Sequence, residues 1–315
     1  MSTGMVTTLA GSGANSNNDG TGTSASFSGP YDVSISRDAS FALVVDQTSH
    51  RVRRIQIATG VVTTLAGSSA GFADGMGTLA AFYSPYGVAV SPDASFALVA
   101  DCSNHRIRLV TIATGSVTTL AGSTQGYADA TGTSARFKLP SSVAISSDGT
   151  FALVPDSGNQ RVRRVDIATG VVRTLAGSGS AGSADGAGAL ASFDGPFGVA
   201  ISPDASYALV TNTGGCKCVR HIAVATGVVT TMTMSAPFNV WRGVTIAPDG
   251  ASALVMDLFK NCIRRATLAS PCQPGYYCAG GSYNMFGAVL GKSAFRLPMR
   301  FFLLQYCSWL DLPTK

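Results

Sequence analysis

The sequence lacks glutamate: the 17 acidic residues among its 315 are all aspartate. Charged residues make up only 12% of the chain, whereas about 25% is typical of globular proteins. Because glutamate favours helices over strands, its absence argues against a helical protein. The 36 glycines and 13 prolines indicate many turns. The composition therefore predicts an all-β protein.

A long apolar run is also missing. The apolar segment 301–304 follows Arg296 and Arg300 closely, so no stretch of about 18 residues predicts a transmembrane helix. The N-terminus has neither the basic region nor the apolar core of a signal peptide. The net charge of +5 permits an anionic partner without requiring one. The seven cysteines form no regular framework and do not identify a compartment.

What the sequence does contain is one motif in four copies, Val-Thr/Arg-Thr-Leu-Ala-Gly. Its closing glycines are 56, 55 and 55 residues apart, at Gly11, Gly67, Gly122 and Gly177. Between the copies lie a Gly/Ser-rich loop with recurrent Asp, Phe and Pro residues, a strand–turn–strand segment, and a third strand that starts after an aspartate. Each unit of about 55 residues thus supplies four short antiparallel strands, which predicts a β-propeller.

Five strand–turn–strand segments are present, with turns at 36–39, 91–94, 146–149, 202–205 and 247–250. The fifth unit is about ten residues short and has no outer strand of its own after Thr267. We expect the N-terminal strand, residues 6–10, to fill that place and close the ring, which would remove exposed sheet edges. The alternative is an open arc from a longer, six-bladed parent.

Two polar residue types recur with the repeat. Aspartates end the second strand of four units, where we expect them to cap backbone amides: these are Asp46, Asp101, Asp156 and Asp257. Arginines recur in the third strand, as Arg53, Arg108 and Arg163, and are candidate partner-binding residues. The alternative is that each arginine pairs with a recurrent aspartate of the same or an adjacent blade. No aromatic residues are interleaved with these arginines, so base stacking is not indicated and nucleic acid is a disfavoured partner.

No catalytic site, metal site or cofactor is predicted. His50 and His105 occupy one repeat position, which favours a structural role over catalysis. The loop aspartates lack the other oxygen ligands of a calcium loop. Cys216 and Cys218, with His221, offer a soft-metal site at spacing that is tight for zinc.

The repeated pattern, with Asn104-His105-Arg106 at the start of a third strand, resembles the NHL repeat over about residues 5–270. The resemblance implies a propeller that serves as a binding platform. Residues 271–282 resemble the start of the cysteine-rich repeat of ephrin-receptor-like extracellular modules, which implies an oxidising compartment and a contact between Cys272 and Cys278. We therefore predict a propeller at 1–270, a partial cysteine-rich motif at 271–282 and a poorly ordered tail at 283–315.

The sequence favours a non-catalytic interaction platform for a protein or glycan partner, in the extracellular or lumenal part of a larger membrane-associated protein. Two alternatives remain open at this point. One is a metal-dependent hydrolase or lyase with its site in the channel, and the other is RNA binding through the repeated arginines.

Overall fold

A computed structural model describes residues 5–232, 240–257 and 262–268. The fold is all-β: five small antiparallel sheets form the blades of a propeller. The predicted fold class is confirmed. In the part of the chain that the structure describes, helices are limited to single 3-10 turns of three residues, and none is long enough to cross a membrane.

The strands follow the repeat closely. Blade 1 contains β1 (Gly20–Thr21), β2 (Pro30–Ile35), β3 (Phe41–Asp46), β4 (Arg51–Gln56) and β5 (Val61–Ala66). Blade 2 contains β6 (Gly75–Met76), β7 (Pro85–Val90), β8 (Phe96–Asp101), β9 (Arg106–Thr111) and β10 (Ser116–Gly122). Blade 3 contains β11 (Ala144–Ile145), β12 (Phe151–Asp156), β13 (Arg161–Asp166) and β14 (Val172–Ala176). Blade 4 contains β15 (Gly186–Ala187), β16 (Pro196–Ile201), β17 (Tyr207–Asn212), β18 (Cys218–Ala223) and β19 (Val228–Thr231), and blade 5 contains β20 (Val240–Ile246), β21 (Ser252–Asp257) and β22 (Cys262–Thr267).

Within a blade the strands pair in chain order from the centre outwards. Strands β2, β7, β11, β16 and β20 are innermost, since each packs against the equivalent strand of a neighbouring blade. In blades 1, 2 and 4 a two-residue strand from the preceding loop adds to the outer edge of the sheet. The 3-10 turns lie in the loops (Gly22–Ser24, Gly77–Leu79, Gly132–Ser134, Gly188–Leu190) and between the second and third strands (Cys102–Asn104, Ser157–Asn159).

The hydrophobic core lies between neighbouring blades. In one cluster, Leu43 and Val45 of blade 1 pack with Val88 and Val99 of blade 2 and with the loop residue Phe82. Leu43, Val45, Val99 and Phe82 have no exposed surface. Each blade therefore depends on its neighbour to bury its apolar face, as expected for a repeat protein.

The closing glycine of the repeated motif is required by this packing. Gly67 has a φ of +96°, and a Cβ there would lie 2.5 Å from the carbonyl oxygen of His50 and 2.9 Å from the Phe82 ring. Gly122 is in the same situation, with a Cβ position 2.5 Å from the carbonyl oxygen of His105. Only glycine fits a positive φ with such close approaches.

The predicted closure by the N-terminal strand is not formed within the described residues. Residues 5–9 have no regular secondary structure, Val6 is 94% exposed, and the described part of blade 5 has three strands. The facing surfaces of blades 1 and 5 are accordingly exposed: Val33 is 57% exposed and Leu254 47%, whereas the equivalent Leu209 is fully buried. The motif in residues 6–11 keeps the glycine turn but not the strand pairing.

Candidate interaction surface

One end of the propeller collects the polar residues that recur in the repeat. Because β7 begins opposite the end of β8, and β8 ends opposite the start of β9, the residues Pro85, Asp101 and Arg106 lie at the same end. We call this end the loop face. It is formed in blade 2 by residues 67–72, 82–85 and 101–106, and in the other blades by their equivalents.

Just beneath the loop face, Arg108 is fully buried between two carboxylates. Its Nη1 lies 2.8 Å from Oδ2 of Asp101, and its Nη2 lies 2.6 Å from Oδ1 of the loop residue Asp74. The same nitrogens donate to the carbonyl oxygens of Ala81 (3.1 Å) and Ala73 (2.7 Å). Arg108 thus ties the loop to the sheet, since Asp74 also accepts from Thr119 in the outermost long strand.

The arrangement recurs in the other blades. Arg53 pairs with Asp19 at 2.8 Å and Asp46 at 3.5 Å, and Arg163 with Asp129 at 2.5 Å and Asp156 at 2.8 Å. Arg220 pairs with Asp185 at 2.9 Å and has Asn212 where the other blades have the second aspartate. In blade 5, Arg264 pairs with Asp257 at 2.9 Å.

These contacts correct the candidate partner-binding residues. Arg53, Arg108 and Arg163 have no exposed surface, so their guanidinium groups do not reach a partner in this structure. The alternative role, pairing with recurrent aspartates, is the one the contacts display, and both aspartates belong to the same blade unit. A strand alternates its side chains between two faces, and the buried face is the one that carries these arginines.

The aspartates at the ends of the second strands cap backbone amides of the incoming loop. Oδ1 of Asp46, Asp101 and Asp156 accepts from the backbone N–H of Ser28 (2.8 Å), Tyr83 (2.8 Å) and Lys138 (2.7 Å), respectively. Burial raises the pKa of Asp101 and of Asp156, against the opposing effect of their hydrogen bonds and arginine partners. The carboxylates are therefore elements of the fold.

The histidine position of the repeat joins one blade to the next. Nδ1 of His50 accepts from the backbone N–H of Ser84 at 3.1 Å, and Nδ1 of His105 accepts from that of Leu139 at 3.2 Å. In the next unit Gln160 makes the equivalent contact through its side-chain oxygen. Burial lowers the pKa of both histidines, which suits a neutral ring that accepts at Nδ1.

Aromatic rings meet at the centre of the loop face. Tyr31 and Tyr86 stack with ring centroids 4.5 Å apart, and Phe197 lies 6.4 Å and 6.2 Å from them. All three follow the first proline of an innermost strand. Beside them, burial raises the pKa of Asp32 to about 6, although Asp32 accepts from the backbone N–H groups of Val88 and Val33. Among the described residues, no three or more His, Cys or Asp side chains group as metal ligands.

The cysteines of blade 4 form a disulfide rather than a thiol pair. Cys216 and Cys218 are joined with their Cα atoms 5.2 Å apart, so their sulfurs do not serve as the soft-metal ligands considered above. The candidate disulfide Cys272–Cys278 and the segments 271–282 and 283–315 lie outside the described residues.

Two arginine–aromatic stacks on the loop face were not predicted from the sequence. Arg106 lies 3.8 Å from the ring centroid of Phe72, and Arg161 lies 3.9 Å from that of Tyr127. Phe72 and Tyr127 are 48% and 46% exposed. The aromatic residues are more than thirty positions away in sequence, in the loop, so a search along the strand does not find them. The available signal was their position, two residues before Asp74 and Asp129.

The fold and these contacts define a five-bladed propeller of repeats whose loops are fixed by buried arginine–aspartate pairs. No protein-family model matches the chain. The chain is 29% identical over 180 residues to NHL repeat-containing protein 2 of Homo sapiens, covering 53% of this chain and 25% of that protein. It is also 29% identical over 178 residues to Protein SUPPRESSOR OF QUENCHING 1, chloroplastic, of Arabidopsis thaliana, covering 53% of this chain and 17% of that protein.

A solved nidogen/laminin complex matches with a TM-score of 0.57 at 13% identity, covering 76% of each chain; this likeness shows the fold alone. Together the similarities support an NHL-type propeller. The chain spans about a quarter or less of the length of the curated relatives named above. None of the comparisons bears on the ephrin-receptor-like segment.

Proposed function

We propose that the protein is a non-catalytic interaction platform that binds a protein or glycan partner on the loop face. One observation carries the proposal. The arginines and aspartates that recur in the blades pair with each other within the fold, whereas the half-exposed aromatic side chains on the loop face do not recur in all blades. Residues that form the buried ion pairs recur through blades 1 to 4 with one exchange, Asn212 in place of the second aspartate of blade 4. Residues such as Phe72, which blades 1 and 4 replace by Asn17 and Ser183, are free to serve binding.

The similarity to NHL repeat-containing proteins is consistent with an interaction scaffold. The two alternatives have less support. The channel-enzyme hypothesis needs several His or Asp side chains that converge on one ion, whereas the Nδ1 atoms of His50 and His105 are used in contacts between blades. The RNA hypothesis relied on arginines that are buried. An extracellular or lumenal setting stays part of the proposal and rests on the segment with Cys272 and Cys278, whose redox state in secreted full-length protein is measurable by mass spectrometry.

The test compares two faces of the same protein. The double variant Phe72→Ala/Tyr127→Ala alters the loop face. The control Leu79→Ala/Leu190→Ala alters side chains that are each 78% exposed and lie at the opposite end, where Gly77 donates to the carbonyl of the turn residue Gly115. The immobilised wild type is tested for proteins retained from extract, and the soluble wild type for binding to a glycan array. Binding is expected to be lost with the first variant and kept with the second. Equal retention by all three proteins contradicts the proposal.

A further inference from the structure

Blades 2 and 3 share a surface feature that the first and fourth blades lack. Each has an arginine at the start of its third strand stacked on a half-exposed aromatic ring from the loop, Arg106 on Phe72 and Arg161 on Tyr127. The two blades are neighbours, so the two stacks lie side by side on the loop face. Blade 4 has Cys218 at the arginine position, which shows that the fold does not require the stack.

Within the described residues, Arg106 and Arg161 form hydrogen bonds to carbonyl oxygens but no ion pairs. Arg106 donates to the carbonyl oxygen of Asn104 at 2.7 Å, and Arg161 donates to those of Asn159 at 3.0 Å and Ser178 at 2.8 Å. No carboxylate lies within ion-pair distance of either guanidinium in that part of the chain. Asp101 and Asp74 act on Arg106 only from beyond ion-pair distance, in contrast to their direct pairing with the buried Arg108 beneath.

Two further half-exposed side chains of the loop face lie at junctions between neighbouring blades. Tyr83 enters blade 2 and is 47% exposed, and Leu139 enters blade 3 and is 43% exposed. The Tyr83 ring packs edge-on against His50 of blade 1, with ring centroids 5.8 Å apart, and the backbone N–H of Leu139 donates to His105 of blade 2. The surface therefore combines two guanidinium groups with half-exposed aromatic and apolar side chains, on a backbone that the buried ion pairs hold in place.

The local charge is positive but moderate. The ionisable side chains of the two units near this surface have a net charge of +2, from six cations and four aspartates: Arg106, Arg108, Arg136, Lys138, Arg161, Arg163, Asp74, Asp101, Asp129 and Asp156. The loop carboxylates Asp74 and Asp129 are 45% and 40% exposed at their side chains. These carboxylates repel a continuous phosphate backbone, whereas separate carboxylates on a peptide can be spaced to avoid them.

Resting on the proposed function, we propose that this surface binds an extended acidic segment of a partner protein. We call it the Arg–aromatic strip, defined by Phe72, Tyr83, Arg106, Tyr127, Leu139 and Arg161. Carboxylates of the segment accept paired hydrogen bonds from Arg106 and Arg161, and its apolar side chains pack on Phe72, Tyr83, Tyr127 and Leu139. Planar guanidinium groups held by stacking are suited to such paired recognition of carboxylates.

The experiment measures fluorescence anisotropy with the purified full chain and three labelled probes: the peptide Asp-Leu-Asp-Tyr-Asp-Leu-Asp-Tyr, the same peptide with Asn in place of Asp, and an RNA octamer of uridines. We expect wild type to bind the acidic peptide best, with affinity that falls as salt rises. Arg106→Ala and Arg161→Ala each weaken it by about tenfold or more, as for hydrogen bonds to charged groups. Arg37→Ala, at an exposed hairpin turn of the opposite end, leaves affinity unchanged.

Thermal unfolding of each variant separates lost binding from lost folding, and Arg106→Lys provides a variant that keeps the charge but loses the planar fork. The inference is overturned if the Asn peptide or the RNA binds as tightly as the acidic peptide, or if the folded arginine variants bind the acidic peptide like wild type. Should partners still depend on Phe72 and Tyr127 while these peptide results are negative, the interaction platform stands and only the acidic-segment inference fails.

Discussion

Replacement of Arg108 by methionine tests the buried ion pairs most directly. Arg108 has no exposed surface and holds four acceptors: Asp101, Asp74 and the carbonyl oxygens of Ala73 and Ala81. Methionine fills much of the same volume but pairs with none of them. The carboxylate of Asp101 is then left buried without its cation, and the loss of one partner of such a pair costs about 3–5 kcal/mol.

Asp101→Asn gives the matched comparison, because blade 4 already carries an asparagine, Asn212, at this position. The amide oxygen can still accept from the backbone N–H of Tyr83, and Arg108 keeps Asp74 and both carbonyl oxygens. The new N–H groups, however, face the donors of Asn104 and Arg108. We expect a cost of about 1–3 kcal/mol, the usual range for a buried polar group that loses its partner.

The double variant Arg108→Met/Asp101→Asn tests whether the two charges stabilise the protein as a pair. With both charges of the pair removed, its cost is expected to fall below the sum of the single costs by about 1 kcal/mol or more, since no buried carboxylate remains uncompensated. Urea unfolding followed by circular dichroism, with m-values checked for constancy, gives the free energies. The reasoning is refuted if Arg108→Met costs less than about 1 kcal/mol or if the two substitutions are additive.

Four further substitutions, in three experiments, test other parts of the fold. Burial raises the pKa of Asp32 from 3.8 to about 6, so its contribution to stability is full below about pH 4 and is lost as the pH rises through 6. Asp32→Asn should then stabilise the protein at pH 7.5 by at most about 3 kcal/mol and flatten this part of its pH–stability curve, and a gain that is equal at pH 3.5 would contradict this assignment. Leu209→Ala, at a fully buried position, should cost about 2–5 kcal/mol, whereas Leu254→Ala, 47% exposed at the equivalent place, should cost roughly 1 kcal/mol; equal costs in urea unfolding would show that blades 5 and 1 pack together in solution. Ala94→Gly should stabilise by about 0.5 kcal/mol because Ala94 has a φ of +58° where Gly149 has +72°, and a loss of thermal stability would contradict the strain argument.

The repeat made much of the fold predictable. A period of 55 residues, with glycine, aspartate and proline at fixed places, determines the strand count because each turn requires those residues. The turn at Asp93 illustrates this: its carboxylate accepts from the hydroxyl of Ser91 at 2.6 Å and from the N–H of Ser95 at 3.1 Å. The closure of the ring was not predictable in the same way, since residues 6–10 match a strand motif but their pairing depends on a partner strand distant in sequence.

The site was predictable only in part, for a related reason. Periodicity identified Arg53, Arg108 and Arg163 as important without showing whether they face solvent, and period-two alternation alone does not say which face is buried. Burial was decided by Asp74 and its equivalents, which lie more than thirty residues from the arginines and fold back along the outer edge of the sheet. Arg106 and Arg161, two residues earlier, lie on the same face of their strands but nearer the loop face, where they stack on Phe72 and Tyr127.

The differences between the repeat units distinguish the side chains that the fold requires from those that it does not. A side chain that recurs through the units is required by a contact that those units share, as the fully buried arginines and the loop aspartates of blades 1 to 4 show. A side chain present in two adjacent units, half exposed, and replaced elsewhere by Asn17 or Ser183 is not required by the fold. The fourth blade supplies the test within the molecule: it keeps the buried Arg220–Asp185 pair at 2.9 Å while it lacks the outer stack. The buried ion pairs and the outer stacks therefore use different arginines of the same strand, although Phe72 and Tyr127 also lie 4.9 Å and 5.0 Å from the buried Arg108 and Arg163.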